Sequence, residues 1–345
     1  MRRVIVTGAD GFIGHHFVEH VLVGRPDWHV DALCSFHHGG IGDRLARAPR
    51  IGAALADGRV RVHTVDLTRA PSRQMVAALD GADFIVNFAS RSHVDTSLAE
   101  PAAFFRDNVD VALTLLDLAR ALGPRVFVQI STDEVYGPAH GRHAHVEWEP
   151  HVPSNPYAAS KAAQEAAAIA WWRAYRVPVV ITNTMNNIGE RQSAEKFVPM
   201  VMRRVLSGEP VGVHAIPTSE GWHVGSRYYM HARNHADAIL FLLEHYERDF
   251  PFYAYQVNER PPRFHIAGEL EVDNLTLAQR IADTLGRPLL YDFVDAHSSR
   301  PGHDLRYALS SQALHDLGWR APVSFWQSLE RTVRWTAANP EWLLD

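Results

Sequence analysis

Two segments carry side chains that could serve as acids and bases. The first, STDEVYG at residues 131–137, places Thr132, Asp133 and Glu134 directly after an apolar run. Adjacent carboxylates repel each other and are costly to remove from water, so packing alone does not account for them. In a dry pocket their repulsion would raise the pKa of one carboxyl and keep a proton available for a leaving group. The alternative is that both acids cap the next helix or turn.

The second segment, YAASK at residues 157–161, places a phenol and an ammonium four residues apart. On a helix, side chains with this spacing lie on the same face. We expect the ammonium of Lys161 to favour the phenolate of Tyr157 and to bring its pKa towards the working range of a general base. The spacing alone is common, so its meaning depends on the elements that precede it.

Short apolar runs alternate with helical patterns through the first half of the chain. This alternation predicts an α/β fold with a doubly wound parallel sheet of the Rossmann type. The runs are continuously apolar, as expected for strands that are covered on both faces. The predicted strands are Val4–Thr7, Val30–Cys34, Val60–Val65, Phe84–Phe88, Val126–Ile130 and Val179–Thr182. The predicted helices are Ile13–Val23, Ser72–Ala78, Pro101–Leu122 and Pro156–Tyr175, with His235–Tyr246 and Phe325–Ala338 in the second half.

The composition changes in the second half, where prolines, glycines and aromatic residues become frequent. We therefore predict a dinucleotide-binding domain at residues 1–182 and a smaller, mainly substrate-binding lobe at residues 183–345. Segments near 228–250 and 303–320 are expected to return to the first domain.

A glycine-rich loop follows the first predicted strand. Gly8 allows a tight turn, Gly11 allows close approach of a pyrophosphate, and Gly14 allows close packing of the helix on the strand. The helix that begins near Ile13 presents unpaired backbone N–H groups to a phosphate. The loop, placed after a strand and before a helix, predicts a dinucleotide site.

The residue that would bind the adenosine ribose is less clear. An acid is expected at the end of the second strand, but Cys34 occupies that place and Asp31 lies three residues too early. NAD is the expected cofactor, yet NADP stays open, because without the acid nothing repels a 2′-phosphate and Arg44 or Arg47 could reach one. Asp66, after the third strand, could accept a hydrogen bond from the adenine amino group, or could instead cap the next helix.

Composition excludes several classes of partner. The formal net charge of −5 provides no basic surface for nucleic acid, and no apolar stretch reaches membrane-spanning length. The single cysteine, Cys34, excludes an internal disulfide and fits a reducing compartment, so we predict a cytoplasmic protein. Among 21 histidines, adjacent pairs such as His15-His16 do not face the same way on a helix, and no HExxH or CxxC element occurs. We therefore predict no metal site.

The chain resembles the extended short-chain dehydrogenase/reductase (NAD-dependent epimerase/dehydratase) family, and within it the dTDP-glucose 4,6-dehydratase type. The resemblance covers nearly the whole chain. It rests on TGADGFIG, FASRSHVDTS, DNVDVALTLLDLA, STDEVYG, NPYAASKAAQE, NNIGERQSAEKFVP and RPGHDLRYAL. STDEVYG together with RPGHD is specific to the nucleotide-sugar dehydratases of this family.

The resemblance implies a reaction in three stages. Tyr157 takes the O4 proton of the sugar as hydride leaves C4 for the nicotinamide, Thr132 holds the same oxygen, and Lys161 binds the nicotinamide ribose. Glu134 then removes the C5 proton and Asp133 protonates the C6 hydroxyl, which leaves as water. Return of the hydride to C6 yields a 4-keto-6-deoxy sugar.

The resemblance also implies the contacts of both ligands and the assembly. Cofactor contacts are expected from Gly8, Gly11, Phe12, Ile13, Gly14, Ser35, Asp66, Leu67, Phe88, Ala89, Ser90, Asn108, Ser131, Tyr157 and Lys161. Contacts with a nucleotide-sugar substrate are expected from His93, Asn187, Glu195, Lys196, Arg227, Arg300 and His303. A homodimer is expected through the helices Pro101–Leu122 and Pro156–Tyr175.

The chain departs from the dehydratase pattern at several positions. Arg91 stands where glutamate is usual, Thr96 and Asn183 stand where arginine is usual, and the loop at 217–226 replaces a short glycine-containing turn. We interpret these changes as lying around the nucleotide and sugar, and hence as an altered donor substrate. Two other functions stay open: an epimerase or decarboxylase of the same family, and a cofactor-binding protein without catalysis.

Overall fold

Seven strands form one parallel sheet in the computed structural model. The structure describes residues 2–36, 44–256, 260–295 and 304–344, without the side chains of residues 247–256. Numbered along the chain, the strands are β1 (Arg2–Thr7), β2 (Trp28–Cys34), β3 (Val60–Thr64), β4 (Phe84–Asn87), β5 (Val126–Thr132), β6 (Val179–Thr184), β7 (Asn187–Ile188), β8 (Val211–Thr218), β9 (Gly221–Val224), β10 (Ser226–Tyr228), β11 (Met230–His231), β12 (Arg263–Ile266), β13 (Glu271–Asp273) and β14 (Tyr291–Asp295). The helices are α1 (Phe12–Gly24), α2 (Arg44–Arg47), α3 (Pro49–Ala56), α4 (Arg73–Leu79), α5 (Val94–Ala99), α6 (Pro101–Leu122), α7 (Pro156–Tyr175), α8 (Phe197–Ser207), α9 (Ala232–Gln256), α10 (Asn274–Leu285), α11 (Gln312–Asp316) and α12 (Phe325–Ala338). Short 3₁₀ helices cover Asp133–Tyr136 and Pro340–Leu343.

The strand order of the sheet is β12-β6-β5-β4-β1-β2-β3, and every neighbouring pair is parallel. Helices α1 and α9 cover one face around Phe17, and α6 and α7 cover the other face around Leu115. Because both faces are covered, β4 and β5 are buried along their whole length. The predicted α/β fold with a doubly wound parallel sheet is confirmed.

Two central strands extend beyond their predicted ends. β5 continues to Thr132 and β6 to Thr184, and these two residues pair with each other. Ladder hydrogen bonds are made by the backbone, so polar side chains do not end a strand that has a partner on each side. The extension places Ser131 and Thr132 on rigid backbone at the carboxyl edge of the sheet.

The second half of the chain returns to the sheet in several places. Strand β12, which was not predicted, pairs with β6, and α9 packs on α1. Trp319 donates from Nε1 to Oδ1 of Asp237 at 2.8 Å and joins the same apolar core. A separate core lies among β8, α8, α10 and α12. The contacts of α9 and Trp319 fall in the segments expected to return, whereas β12 lies outside both. The division at 182/183 stays a prediction and lies within β6.

No helix in the described ranges combines the length and the apolar character that a membrane span requires.

Candidate active site

The predicted dinucleotide loop joins β1 to α1. Gly8 has a φ of 61°, in the left-handed region, and its carbonyl oxygen accepts a hydrogen bond from the Gly11 N–H at 2.9 Å. A Cβ on Gly14 would lie 2.1 Å from the Gly8 oxygen, so the helix packs against the turn as closely as only glycine allows. No side chain caps the first turn of α1. The backbone therefore presents N–H groups that suit a pyrophosphate.

Gly14→Ala is expected to weaken dinucleotide binding at least about tenfold. The added methyl group meets backbone rather than a flexible side chain, and overpacking of this kind costs about 1–3 kcal/mol, of which about 1.4 kcal/mol is a factor of ten in affinity. Titration calorimetry with the dinucleotide measures the effect. Gly24→Ala in the same helix is the matched control, because its Cβ would meet only Leu240 at 3.5 Å. Equal affinities for the two variants would contradict the role of the loop.

The predicted cofactor residues come together at the carboxyl edge of the sheet. Residues 8–14 follow β1, Ser35 follows β2, residues 66–67 follow β3, residues 88–90 follow β4, and Ser131 lies at the end of β5. The carboxyl ends of parallel strands form the ligand-binding crevice of doubly wound sheets. The individual contacts stay predictions.

Asp66 does not cap a helix. Its Oδ1 accepts hydrogen bonds from the Thr68 N–H at 3.0 Å and from the Thr68 hydroxyl at 2.7 Å. The cap of α4 is Ser72, whose side chain accepts from the Met75 N–H at 3.2 Å. The helix-cap alternative is therefore wrong, and a contact with adenine stays a prediction.

An acid that the sequence analysis missed lies near the end of β2, where a ribose-binding residue was expected. Asp10 is buried and accepts a hydrogen bond from the Phe36 N–H at 2.9 Å, just beyond the end of β2. Burial, assisted by the charge of Asp10, raises the pKa of Cys34 to about 12, so this thiol is uncharged. Asp31 instead pairs with Arg3 at 2.5 Å and His63 at 2.8 Å. A carboxylate therefore does stand at the end of β2, supplied by the glycine loop.

The two arginines considered for a 2′-phosphate have other partners. Arg44 is buried and donates to the Arg191 carbonyl at 3.0 Å and to the Ser193 hydroxyl at 2.9 Å. The guanidinium of Arg47 lies over the ring of Trp342 at 5.8 Å.

The acid pair lies in a 3₁₀ turn at the end of β5. The cap of this turn is Thr132, whose hydroxyl accepts from the Glu134 N–H at 3.4 Å and donates to Oδ1 of Asp133 at 2.9 Å. Asn155, which caps α7, donates from Nδ2 to Oε2 of Glu134 at 2.9 Å. The capping alternative for the two acids is therefore wrong. Asn155 was missed, although asparagine before proline at a helix start is a recognisable cap signal.

Burial gives Asp133 and Glu134 pKa values above those of ordinary carboxylates. It raises the pKa of Asp133 to about 7, with a further contribution from the charge of Glu134, as the sequence predicted. Burial also raises the pKa of Glu134. Oδ2 of Asp133 is buried and has no hydrogen-bond partner among the described residues. Near neutral pH, Asp133 can therefore hold a proton and donate it to a bound group.

The expected lowering of the Tyr157 pKa is wrong for this structure. Burial, then the charges of Glu134 and Asp133, raise the pKa of Tyr157 well above its usual range. Lys161 gives no compensation, because its Nζ donates to the Ile130 carbonyl at 2.7 Å and to Oε1 of Gln164 at 2.6 Å. Ionisation of the phenol therefore requires positive charge beyond that of Lys161.

Comparison with known proteins agrees with this arrangement. The model of the NAD dependent epimerase/dehydratase family matches residues 4–257. The chain belongs to this family. It is 33% identical to dTDP-glucose 4,6-dehydratase of Streptomyces antibioticus over 99% of this chain and 94% of that protein. It is 35% identical to dTDP-glucose 4,6-dehydratase of Streptomyces niveus, again over 99% of this chain and 94% of that protein.

A solved structure of the family is similar along its whole length. DesIV, a dTDP-glucose 4,6-dehydratase from Streptomyces venezuelae, was solved with NAD and dTDP bound. It is 34% identical, has a TM-score of 0.83 and is matched over 99% of each chain.

The predicted substrate residues occupy different surroundings. His93 caps α5, Asn187 donates from Nδ2 to the Met185 carbonyl at 2.8 Å, and Glu195 and Lys196 lie 4.0 Å apart. Arg227 is buried and donates to backbone carbonyls of Asp304 and Leu305. Its charge lowers the pKa values of Asp133 and Glu134 against the effect of burial. The predictions for Arg300 and His303 fall outside the described residues. The roles of all seven stay predictions.

Asp304 and Tyr307 also belong to the surroundings of the acid pair. The charge of Asp304 contributes to the raised pKa of Glu134, and the charge of Glu134 contributes to the raised pKa of Tyr307. Asp304 accepts a hydrogen bond from the Ser154 hydroxyl at 2.7 Å. Both residues lie in the RPGHDLRYAL segment, which was the available sequence signal.

The interpretation that the departures lie around the nucleotide and sugar is wrong for Asn183. This residue is buried in β6 and donates to the Thr132 carbonyl at 3.1 Å and to Oε1 of Glu165 at 2.7 Å. The arginine that pairs with Glu165 comes from the neighbouring strand, as Arg263, at 2.5 Å. Asn183 thus connects the end of β5 to Glu165 of α7 through hydrogen bonds.

Arg91 contacts two carboxylates and an aromatic ring. It pairs with Asp107 at 2.9 Å and Glu100 at 3.5 Å, and its guanidinium lies 4.8 Å from the centre of the Phe104 ring. Phe104 in turn contacts Tyr157 edge-on, with the ring centres 6.3 Å apart. Arg91 therefore packs on a ring that itself contacts Tyr157.

A buried chain of amides supports Lys161. Gln164 accepts from the Lys161 ammonium, Gln129 donates to Gln164 at 3.2 Å, and Asn87 donates to Gln129 at 3.0 Å. Asn87 accepts from the Thr7 hydroxyl at 2.7 Å, at the start of the dinucleotide loop. Burial lowers the pKa of Lys161 to about 8, so the Gln164 oxygen is well placed to stabilise the charged form.

Substitution of Gln164 is expected to move the basic limb of the pH profile for C4 oxidation, measured as the oxidised sugar formed in a single turnover. Activity that needs the Lys161 cation is present below its pKa and lost as the pH rises through it. Gln164→Leu removes an acceptor and should shift the limb down by about one pH unit, since hydrogen bonds to charged groups contribute about 1.5–3 kcal/mol. Gln164→Glu should shift it up. The two opposite shifts control for each other, because a general disturbance of the core would move the limb in the same direction in both variants.

Proposed function

We propose that this chain is an NAD-dependent nucleotide-sugar 4,6-dehydratase, an enzyme that converts an NDP-hexose into an NDP-4-keto-6-deoxyhexose. The observation that carries the proposal is Asp133, a buried carboxyl with a pKa near 7 and an oxygen without a partner among the described residues, directly beside Glu134. Epimerisation at C4 needs no such acid, whereas loss of water from C5 and C6 needs an acid and a base together. The family membership and the full-length similarity to dTDP-glucose 4,6-dehydratases support the same reaction.

The oxidation step uses the residues at the start of α7 and the end of β5. When bound, NAD supplies a hydride acceptor at C4, a positive charge beside the phenol, and later the hydride donor at C6. Tyr157 removes the proton from the O4 hydroxyl, and the Thr132 hydroxyl holds that oxygen in line. Lys161, fixed by the Ile130 carbonyl and Gln164, would hold the nicotinamide ribose.

The elimination step uses the acid pair. A ketone at C4 acidifies the C5–H bond, and Glu134 takes that proton. Asp133 protonates the hydroxyl on C6, the C6–O bond breaks, and water leaves. After hydride reaches C6, Glu134 returns a proton to C5. The proton that Tyr157 took from O4 replaces the one that Asp133 gave up, so each group returns to its starting state and the net change is the loss of one water.

NAD is favoured over NADP by charge at the end of β2. Buried Asp10 would repel a 2′-phosphate, while Arg44 and Arg47, the two cations considered for it, have other partners. NAD is the dinucleotide bound in the similar structure of DesIV.

The reaction is tested with a panel of nucleotide hexoses and mass spectrometry. We expect a product that is lighter by one water from at least one donor, which would also identify the base and hexose. An unchanged mass with inverted C4 would indicate an epimerase, and loss of carbon dioxide a decarboxylase. Absence of any change, with NAD bound, would indicate a non-catalytic binding protein.

A homodimer in the cytoplasm completes the proposal. Helices α6 and α7 pack side by side on one face of the sheet. Phe105 of α6 and Tyr175 of α7 expose 37% and 45% of their surfaces, which gives this face apolar side chains to bury. Light scattering tests the assembly, and a monomeric mass would contradict it.

A further inference from the structure

A cluster of possible metal ligands lies outside the site described so far. His143, His145 and Glu149 offer ligand atoms that all lie within 4.8 Å of one another. Oε2 of Glu149 lies 3.1 Å from Nε2 of His143 and 2.6 Å from Nδ1 of His145. Both imidazoles thus converge on one carboxylate oxygen.

The surrounding backbone holds this cluster in place. Oε1 of Glu149 accepts a hydrogen bond from the Val146 N–H at 3.0 Å, which orients the carboxylate. The His145 N–H donates to the Ala308 carbonyl, and the His145 carbonyl accepts from the Ser310 N–H, each at 2.9 Å. The His145 ring also stacks on Tyr136, with 5.3 Å between ring centres. His145 and Glu149 are thus held in place, and His143, whose side chain is half-exposed, is the ligand that can move to complete the site.

We propose that His143, His145 and Glu149 form a binding site for a divalent zinc ion. Two imidazoles and one carboxylate form a ligand set that suits Zn²⁺, with Zn–N and Zn–O distances of about 2.0–2.2 Å. Ligand atoms at those distances from one ion lie roughly 3 Å apart, close to the spacing of His143 and Glu149. Glu149 needs to withdraw from His145 by about half an ångström, and the two imidazole nitrogens, which lie within 4.8 Å of each other, need to approach to roughly 3 Å.

The orientation of His145 and the nearby charge permit the ion to bind. Nδ1 of His145 faces Glu149 at 2.6 Å, whereas its Nε2 is buried and has no partner among the described residues, so Nδ1 is the nitrogen that the ring offers to the ion. The nearby cation Arg306 donates to the His143 carbonyl at 2.6 Å, and its charge is balanced by Glu271 at 2.7 and 3.0 Å.

The site would stabilise the segment that flanks the acid pair. The loop at 139–149 is bonded to residues 306–310, through the Ala139 N–H to the Arg306 carbonyl and through the two backbone bonds of His145. Asp304, whose charge contributes to the raised pKa of Glu134, and Tyr307, whose own pKa is raised in part by Glu134, lie in or beside that segment. An ion that joins His143 to Glu149 would hold this loop closed. The role is structural and independent of the proposed reaction.

The test uses the full-length protein, stripped with a chelator, and Zn²⁺ alone. Wild type should bind one ion saturably and gain thermal stability. His143→Ala and Glu149→Gln, both at solvent-accessible positions, should weaken that binding at least about tenfold and lose the gain. His140→Ala is the matched control, an exposed histidine in the same loop outside the cluster, and should behave as wild type.

Cobalt provides a second measurement that does not depend on stability. Co²⁺ in the site should produce the visible absorption of a four-coordinate ion in wild type and in His140→Ala, but not in the two ligand variants. Wild-type affinity in His143→Ala and Glu149→Gln would overturn the proposal. An equal loss in His140→Ala, or no saturable binding by wild type, would overturn it as well.

Discussion

Asp133→Asn is expected to stop the reaction after C4 oxidation and to slow formation of the dehydrated product by about 10²–10⁴-fold, the usual contribution of a general acid. Asparagine keeps the shape of the side chain but has no proton that can pass to the C6 hydroxyl. Tyr157, Thr132 and Lys161 are unchanged, so C4 oxidation should continue. The quenched sugar nucleotide should therefore be lighter by two hydrogen atoms, and mass spectrometry distinguishes this from loss of water.

Glu134→Gln is the matched comparison for this variant. It removes the base at C5, but the glutamine amide has nearly the shape of the glutamate carboxylate. Asn155 can still donate a hydrogen bond to the side-chain oxygen. The same oxidised, undehydrated sugar should accumulate. If Asp133→Asn formed the dehydrated product at the wild-type rate, another group would be the acid and the proposed division of roles would be wrong.

The pKa of Asp133 also predicts a pH dependence. The acid must be protonated to act, so its contribution is present below about pH 7 and is lost as the pH rises through that value. Dehydration should therefore slow above neutral pH relative to C4 oxidation. In pre-steady-state experiments the fraction of oxidised, undehydrated sugar should rise with pH.

Tyr157→Phe is expected to block the reaction one stage earlier, with a loss of about 10²–10⁴-fold in C4 oxidation. Phenylalanine keeps the edge-on contact with Phe104 but cannot accept the O4 proton. No oxidised sugar should accumulate, so the quenched nucleotide should keep the mass of the substrate. This outcome is opposite to that of Asp133→Asn, although both variants lack the final product.

Tyr175→Phe controls for the loss of a hydroxyl from the same helix. Tyr175 lies at the other end of α7 and is half-exposed, so its variant should match wild type. Oxidised sugar in the Tyr157→Phe protein, at the wild-type rate, would assign the proton acceptor to another group. Thr132 and Glu134 would then be the next residues to substitute.

Local sequence patterns predicted the elements that bring the site together. The alternation of apolar runs and helical patterns identified six strands of the sheet, and the glycine spacing identified the turn into α1. The acid pair and YAASK were recognised by type and spacing, and their positions after β5 and at the start of α7 follow from that order. These features depend on residues near one another in the chain, so a linear pattern contains them.

Longer-range partners decided the chemistry around those elements. Strand β12 alternates polar and apolar residues and is a strand because it pairs with β6. Arg263 on that strand provides the cation for Glu165, and Asn183 donates a hydrogen bond to the same carboxylate. Asp10, 24 positions before Cys34, supplies the acid that is missing at the end of β2, since Asp31 within the strand pairs with Arg3 and His63.

The direction of the Tyr157 pKa was the main error of local reasoning. Spacing placed Lys161 on the correct helix face, but the ammonium is directed to the Ile130 carbonyl and Gln164. By itself the sequence determined which acids, bases and glycines are present and the order of the elements that carry them. Only the tertiary structure decided how deeply each group is buried and which partner it meets, because desolvation and hydrogen bonding depend on atoms from distant parts of the chain.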